Sequence, residues 1–300
     1  MHVVHEPTAS PPPRRDARRL WQLLEPIHAV TYFSPEPLAE LKEAGYRGFW
    51  MGYFAGRAAP LGSVGAEVVH AVFYNFAPEH VARALPDAWS FAPPARALAA
   101  RQDGSTAALR RHLGDLAASS AVATAADLAG KAAYSAPPEG RALFAANRAL
   151  PQPVDPLARL WQMATLLREH RGDGHVAALV AAGVGGRESH VLHALASGTS
   201  PDVYETARNM RAEEWATHLA ALRARGLVDG AGSLSQPGRD LREHVERVTD
   251  DLAATAYDAL SEDELATLTD ALLPIARAVV AAGDIPRRSP MGLDLDEVVD

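Results

Sequence analysis

The sequence predicts a mainly α-helical protein: a helical N-terminal half packed on a C-terminal half with a very short two-stranded hairpin among its helices. Three observations predict it. Apolar residues recur at helical spacing along most of the chain, no convincing alternating strand precedes residue 225, and several helix starts are marked by a capping position followed by proline. With 48% hydrophobic and 22% charged residues, the composition is that of a globular chain, not a disordered one.

Residues 1–15 hold Pro7 and Pro11-Pro12-Pro13 without apolar periodicity and read as a flexible arm. From Asp16 to Val30, Leu20, Trp21, Leu24, Ile27 and His28 fall at helical spacing, with Pro26 predicting a kink or a new start. Ser34-Pro35 opens a second helix that Gly45 stops, and Ala77-Pro78 opens another. Further helices are predicted over 63–74, 103–118, 121–129 and 138–149. The prolines between Leu150 and Pro156 mark a boundary between an N-terminal domain, 16–150, and a C-terminal one, 151–285. A tail over 286–300 is acidic and reads as mobile. The C-terminal part opens on a helix over 156–170, whose Arg159-Leu160-Trp161-Gln162 repeats Arg19-Leu20-Trp21-Gln22. Duplication explains this repeat, and so do two helices that each bury a Trp.

Beyond residue 186 come a helix over 187–196, a short one from Ser200-Pro201 to Asn209, and a third over 211–225 with Trp215, Leu219 and Leu222 on one face. Gly226 ends the third. Leu227-Val228 and Ser233-Leu234 are predicted as two short strands turning at Asp229-Gly230. A long amphipathic helix follows from Pro237, then a Leu-rich helical stretch over 261–282. Three helices, a tiny hairpin and a long helix make the winged helix-turn-helix arrangement. The stretch LRARGLVDGAGSLSQPGRDLREHVERVTDDL resembles the MarR-like winged helix-turn-helix proteins. Together with RLWQLLEPIHAVTYFSPE, FWMGYFAGRAAPLG and LLREHRGDGHVAALVAAG, it resembles a little-characterised actinobacterial helix-turn-helix family from about Arg18 to Leu260. The resemblance implies a winged-helix fold and a bacterial lineage, and brings no settled activity. Winged-helix proteins of this type generally dimerise through flanking helices, which makes a homodimer an expectation.

Charge and composition narrow the function classes. There is no Cys, which excludes disulfides, Fe–S clusters, thiolate zinc sites and cysteine nucleophiles. No apolar run is long enough to cross a membrane, and MHVVHEPTASPPPRR is not a signal peptide, so the expected location is cytoplasmic. The net charge is −8, and residues 187–250 carry eight Arg against ten Asp or Glu. A DNA reader gains affinity by neutralising phosphates, and this segment is poorly equipped to do so. The third helix opens on Arg211-Ala212-Glu213-Glu214-Trp215, whose carboxylates would repel a phosphate backbone. Arg208, Arg211 and His218 are the candidate DNA contacts. DNA is therefore a partner that the fold admits and the local charge disfavours.

Three clusters suggest other chemistry. His170, His175, His190 and His193 invite a metal or anion reading; without HExxH or any family-specific spacing, no metal site is assigned. Arg171-Gly172-Asp173-Gly174-His175 reads as a turn in which Asp173 caps a helix starting at His175 and Arg171 offers a planar donor fork. The N-terminal half gathers His28, Tyr32, Trp50, Tyr53, Phe54, Arg57 and Asn75, and Trp50, Tyr53, Phe54 and Arg57 share one helix face. Aromatic stripes are usually core, yet apolar walls with a few polar groups also describe small-molecule pockets. The expected site is a pocket between the halves, lined by His28, Tyr32, Trp50, Tyr53, Arg57, Asn75, Arg171, Asp173 and His175. Its expected occupant is a small aromatic or anionic ligand with Arg57 as anion partner, and no cofactor signature is present. Two functions stay open: a ligand-responsive regulator with a weak DNA-reading surface, or an enzyme of secondary metabolism using His, Tyr and Asp for acid–base work. No catalytic residue is assigned.

Overall fold

Asp155 accepts the N–H groups of Leu157 and Ala158 ahead of Pro156, and Ser200 accepts that of Asp202 ahead of Pro201, so two of the expected helix starts are properly capped. The structure is a computed structural model that describes residues 14–287 and 289–299, without the side chains of Arg14, Arg15 and Val299. The expected arm lies outside the described residues, apart from its last two, which begin the first helix. The N-terminal half holds α1 (Arg14–Phe33), α2 (Pro35–Glu43), α3 (Gly48–Ala58), α4 (Ala66–Phe73), α5 (Pro78–Ala82), α6 (Ala88–Phe91), α7 (Pro94–Leu113), α8 (Ser120–Ser135) and α9 (Ala142–Arg148). There follow α10 (Pro156–Ala181), α11 (Gly186–Ser197), α12 (Pro201–Arg208), α13 (Ala212–Ala224), α14 (Gln236–Ala254), α15 (Glu262–Ala281) and α16 (Leu295–Val299).

Three apolar clusters hold these helices. The largest joins α1, the end of α7, α8, the first half of α10, α15 and α16. A second gathers α2 to α6 and the start of α7 around Tyr46, Phe54, Phe73 and Phe76. The third lies under α11 to α14, around Val191, Tyr204, Met210 and Leu222. Helix α10 is buried on almost every side, and it runs from the first cluster into the third.

The mainly α class holds, and the two-stranded wing does not. Among the described residues there is no strand; segment 227–235 holds a single antiparallel bridge, Val228 to Leu234. Asp229 supplies the reason. Its carboxylate accepts the Ala231 and Ser233 N–H groups at 2.9 Å each, so the loop's donors turn to one side chain instead of pairing along a ladder. Ser235 then caps α14 at once, which leaves no length for a second strand.

The turn expected at Arg171–His175 is also absent, because α10 runs through it unbroken. Two glycines weaken a helix, and Gly174 has a packing reason: a Cβ there would meet Arg141 Nη1 at 2.7 Å and Leu252 Cβ at 3.3 Å. The Arg141 guanidinium crosses that gap and donates to the carbonyls of His170 and Leu252, tying α10 to α14. The tail, expected to be mobile, is packed where it is described. Leu293, Leu295 and Val298 are buried in the first cluster, and Arg19 donates to the Glu297 carbonyl at 2.8 Å.

The N-terminal half meets the C-terminal helices at Gly186. A Cβ there would fall far inside contact distance of the Tyr74 carbonyl, and Tyr74 itself holds φ +56. Gly186→Ala should therefore cost about 2 kcal/mol, read as a lower urea midpoint. Gly185→Ala, whose nearest neighbour would be Glu188 Cβ at 3.9 Å, should leave the midpoint unmoved.

Candidate functional site

On α3 the spacing of Trp50, Tyr53, Phe54 and Arg57 puts one broad face against the rest of the molecule. Phe54 is wholly buried in the second cluster, whereas Trp50, Tyr53 and Arg57 wall a cavity of about 870 Å³. Asn75 and Phe76 follow from the end of α4; Tyr32 comes from α1, and Arg171, Asp173 and His175 from α10. Further parts of the wall belong to α12, through Val203, Thr206, Ala207 and Arg208, to α11 through His190 and His193, to α14 through Arg242 and Glu246, and to the chain around Met291. Eight of the nine residues expected to share a pocket thus line this one cavity. His28 is the exception and lies behind Tyr32.

His28 belongs to a closed hydrogen-bond chain. Thr165 Oγ1 donates to the Trp161 carbonyl at 2.9 Å, so it accepts from His28 Nδ1, and His28 Nε2 accepts from the Tyr32 hydroxyl at 3.1 Å. The chain satisfies three buried polar groups and ends on a backbone carbonyl. Burial, with the Arg168 charge adding to it, holds the His28 imidazole neutral.

The charges around the cavity are mostly matched. Arg57 donates twice to Glu169 at 3.1 Å, and Arg168 donates to Glu169 at 2.9 Å. Burial alone would push the Glu169 carboxyl up, but Arg57 and Arg168 outweigh it and hold it well below the usual carboxylate range. Arg57 is therefore a partner of Glu169 and not the free anion partner that its place in the sequence suggested. Arg171 pairs with Asp250 at 2.9 Å, and Arg18 with Asp250 at 2.7 Å and Glu246 at 3.1 Å. Asp173, desolvated, is pushed up to about 6 although it accepts the Phe144 N–H at 3.0 Å.

Arg208, read from the sequence as a DNA contact, turns inward. Its guanidinium lies 4.5 Å from the centre of the Phe76 ring, donates to the Ala207 carbonyl at 2.8 Å, and leaves Nε buried without a partner. A sequence signal for this exists. Arg208 stands four residues after the fully buried Tyr204, on the same face of α12.

Of the four histidines, His175, His190 and His193 line this cavity, and each of the four has its own contacts. His170 packs edge-on against Phe144, His175 shares a hydrogen bond with Thr249 at 2.9 Å, His190 bonds the Asn75 carbonyl at 3.0 Å, and His193 lies against Tyr204. Among the described residues no three His or acidic side chains gather as a metal site.

Helices α12 and α13 are joined by a tight turn in which Asn209 takes the left-handed conformation at φ +50 and Met210 is buried. Arg187 of α11 secures this turn. It donates to the Arg208 carbonyl at 2.9 Å and grips Glu214 at 2.6 and 2.8 Å. Glu214 is thus already paired and is not a free charge facing outward. Beyond the turn α13 packs Trp215, Leu219 and the buried Leu222 on the third cluster and leaves its opposite face exposed. Arg211 and Glu213 are open to solvent, and His218 lies 3.7 Å from Glu214.

The fold and site together define an all-helical protein in which the helix ahead of a tight helical turn walls a cavity. The sequence profile of a helix-turn-helix family matches residues 17–286, and the chain belongs to that family. Comparison with curated proteins and with solved structures gave no match. No helix among the described residues is long and apolar enough to cross a membrane.

Proposed function

We propose that the protein is a DNA-binding regulator whose affinity for DNA is set by a small molecule held in the cavity. One observation carries this reading: α12, the leading helix of the helix-turn-helix pair, forms part of the cavity wall. A ligand touching α12 acts on the turn before α13, which Arg187 links to both Arg208 and Glu214. Family membership supports a DNA partner, and the exposed face of α13, opposite Trp215, Leu219 and Leu222, is free to enter a groove.

The paired state of Glu214 changes the charge balance of that face, because one of the two acids at the start of α13 is neutralised. Glu213→Gln should raise non-specific DNA affinity about threefold at low salt and steepen its salt dependence. Glu214→Gln should instead weaken the grip of Arg187 and lower thermal stability without that gain. Fluorescence anisotropy on DNA from upstream of the protein's own gene, across a salt series, measures both. Absence of binding by the wild type even at low salt would remove the DNA half of the reading.

A further inference from the structure

The geometry points to Arg208 as the anion seat of the cavity, which takes the carboxylate of a flat, fused-ring aromatic acid. This deepens the proposed function and rests on its ligand-binding half. Of the arginines that line the cavity, Arg18, Arg57, Arg168 and Arg171 each face a carboxylate at 3.4 Å or less. Among the described residues Arg208 has none. Its one hydrogen bond there is to the carbonyl of the residue before it, and the cations that bear on it are Arg57 and Arg168. Partial burial makes its charge costly, and the Phe76 ring, the Ala207 carbonyl, Tyr53 and Tyr204 offset that cost only in part, with no carboxylate paired to it among the described residues.

The placement of the guanidinium fits a ligand. Phe76 covers one face and Nε is buried, which leaves Nη2 and the second hydrogen of Nη1 for the bidentate grip that guanidinium makes on carboxylate. Trp50, Tyr53, Phe73 and Phe76 bring four rings to the same cavity, surfaces on which a flat aromatic body stacks. A volume of about 870 Å³ lies near the upper end for small-molecule sites, so a single ring would leave most of it empty. The other lining arginine without a carboxylate bond is Arg242. It acts electrostatically on Glu246 and His193 and so has an acid of the chain near it.

The test uses the full chain with three acid and amide pairs: 2-naphthoate, anthraquinone-2-carboxylate and pyrene-1-carboxylate, each against its carboxamide. Calorimetric titration should show the acid of at least one pair binding about tenfold tighter than its amide. In Arg208→Gln that preference should fall to about twofold or less with amide affinity kept, and Arg208→Lys should retain part of it. Arg208→Gln should also melt at or above the wild-type temperature, since it removes a half-buried charge that has no carboxylate partner among the described residues. A lower melting temperature would make the guanidinium a structural group and overturn the inference. Equal binding of acids and amides by the wild type, or a preference that survives Arg208→Gln, overturns it and leaves the ligand reading standing. No binding of any of the six compounds at about 1 mM overturns both.

Discussion

Glu169→Ala is expected to cost about 3–5 kcal/mol of stability, because it strands the buried Arg57 guanidinium and takes one of two carboxylates from Arg168. The Glu169 side chain is 2% exposed and the Arg57 side chain 11%. In this setting water replaces little of what the carboxylate supplies. Arg57 would keep its position over the Phe73 ring, 4.1 Å from the centroid, which compensates only in small part. Arg168 would keep Glu25 at 3.4 Å. The loss should appear in urea denaturation as a lower midpoint with an unchanged slope. Asp127→Ala, which removes an exposed partner of Arg159, should leave the midpoint where it is. Equal behaviour of the two variants would mean that the Glu169 cluster is solvated.

Glu169 also shows where sequence reading stops. Its partner Arg57 is 112 residues away, and neither residue stands in a motif that names the other. Local signals fared better. Ser34-Pro35 and Ser200-Pro201 mark helix starts because a capping position and the adjoining proline act within one turn of helix, although of the two serines Ser200 alone makes the side-chain cap bond. The aromatic face of α3 was legible for the same reason, since four side chains at helical spacing must share a side. The two glycines of 171–175 misled because a local rule reads glycine as a turn. Here the room at Gly174 is used by Arg141, a residue from another helix. The wing failed in a similar way: Asp229-Gly230 does mark a tight loop, but the Asp229 carboxylate takes the donors that a ladder needs. Arg208 was assigned to the surface by its motif, although its spacing from Tyr204 pointed inward.

Acidification from pH 7 to pH 5.5 should lower stability by about 3 kcal/mol, through histidines that the fold keeps neutral. His170 is lowered to about 3 by burial and the nearby Arg141, and His193 to about 4 by burial and Arg242. His28 and His190 are held well below 6.5, first by burial and then by arginines. Between these depressed values and 6.5 the unfolded chain binds protons that the native state does not, so stability falls as the pH drops. Each imidazole contributes about 1 kcal/mol over this interval. Asp173 has the opposite sign. Its carboxyl is raised from 3.8 to about 6, so the native state takes up a proton first and gains about 1 kcal/mol. The depressed carboxylates, Glu169 and Glu246 among them, stay ionised throughout and add no slope above pH 5. The histidines outnumber the one raised acid, and the net effect is destabilising. For a chain of this length the melting temperature should fall by about 5 °C, measured in matched buffers at constant ionic strength. A melting temperature that holds level or rises would show that these imidazoles take up protons inside the fold, through contact with water that the packing around His28 and His170 denies them.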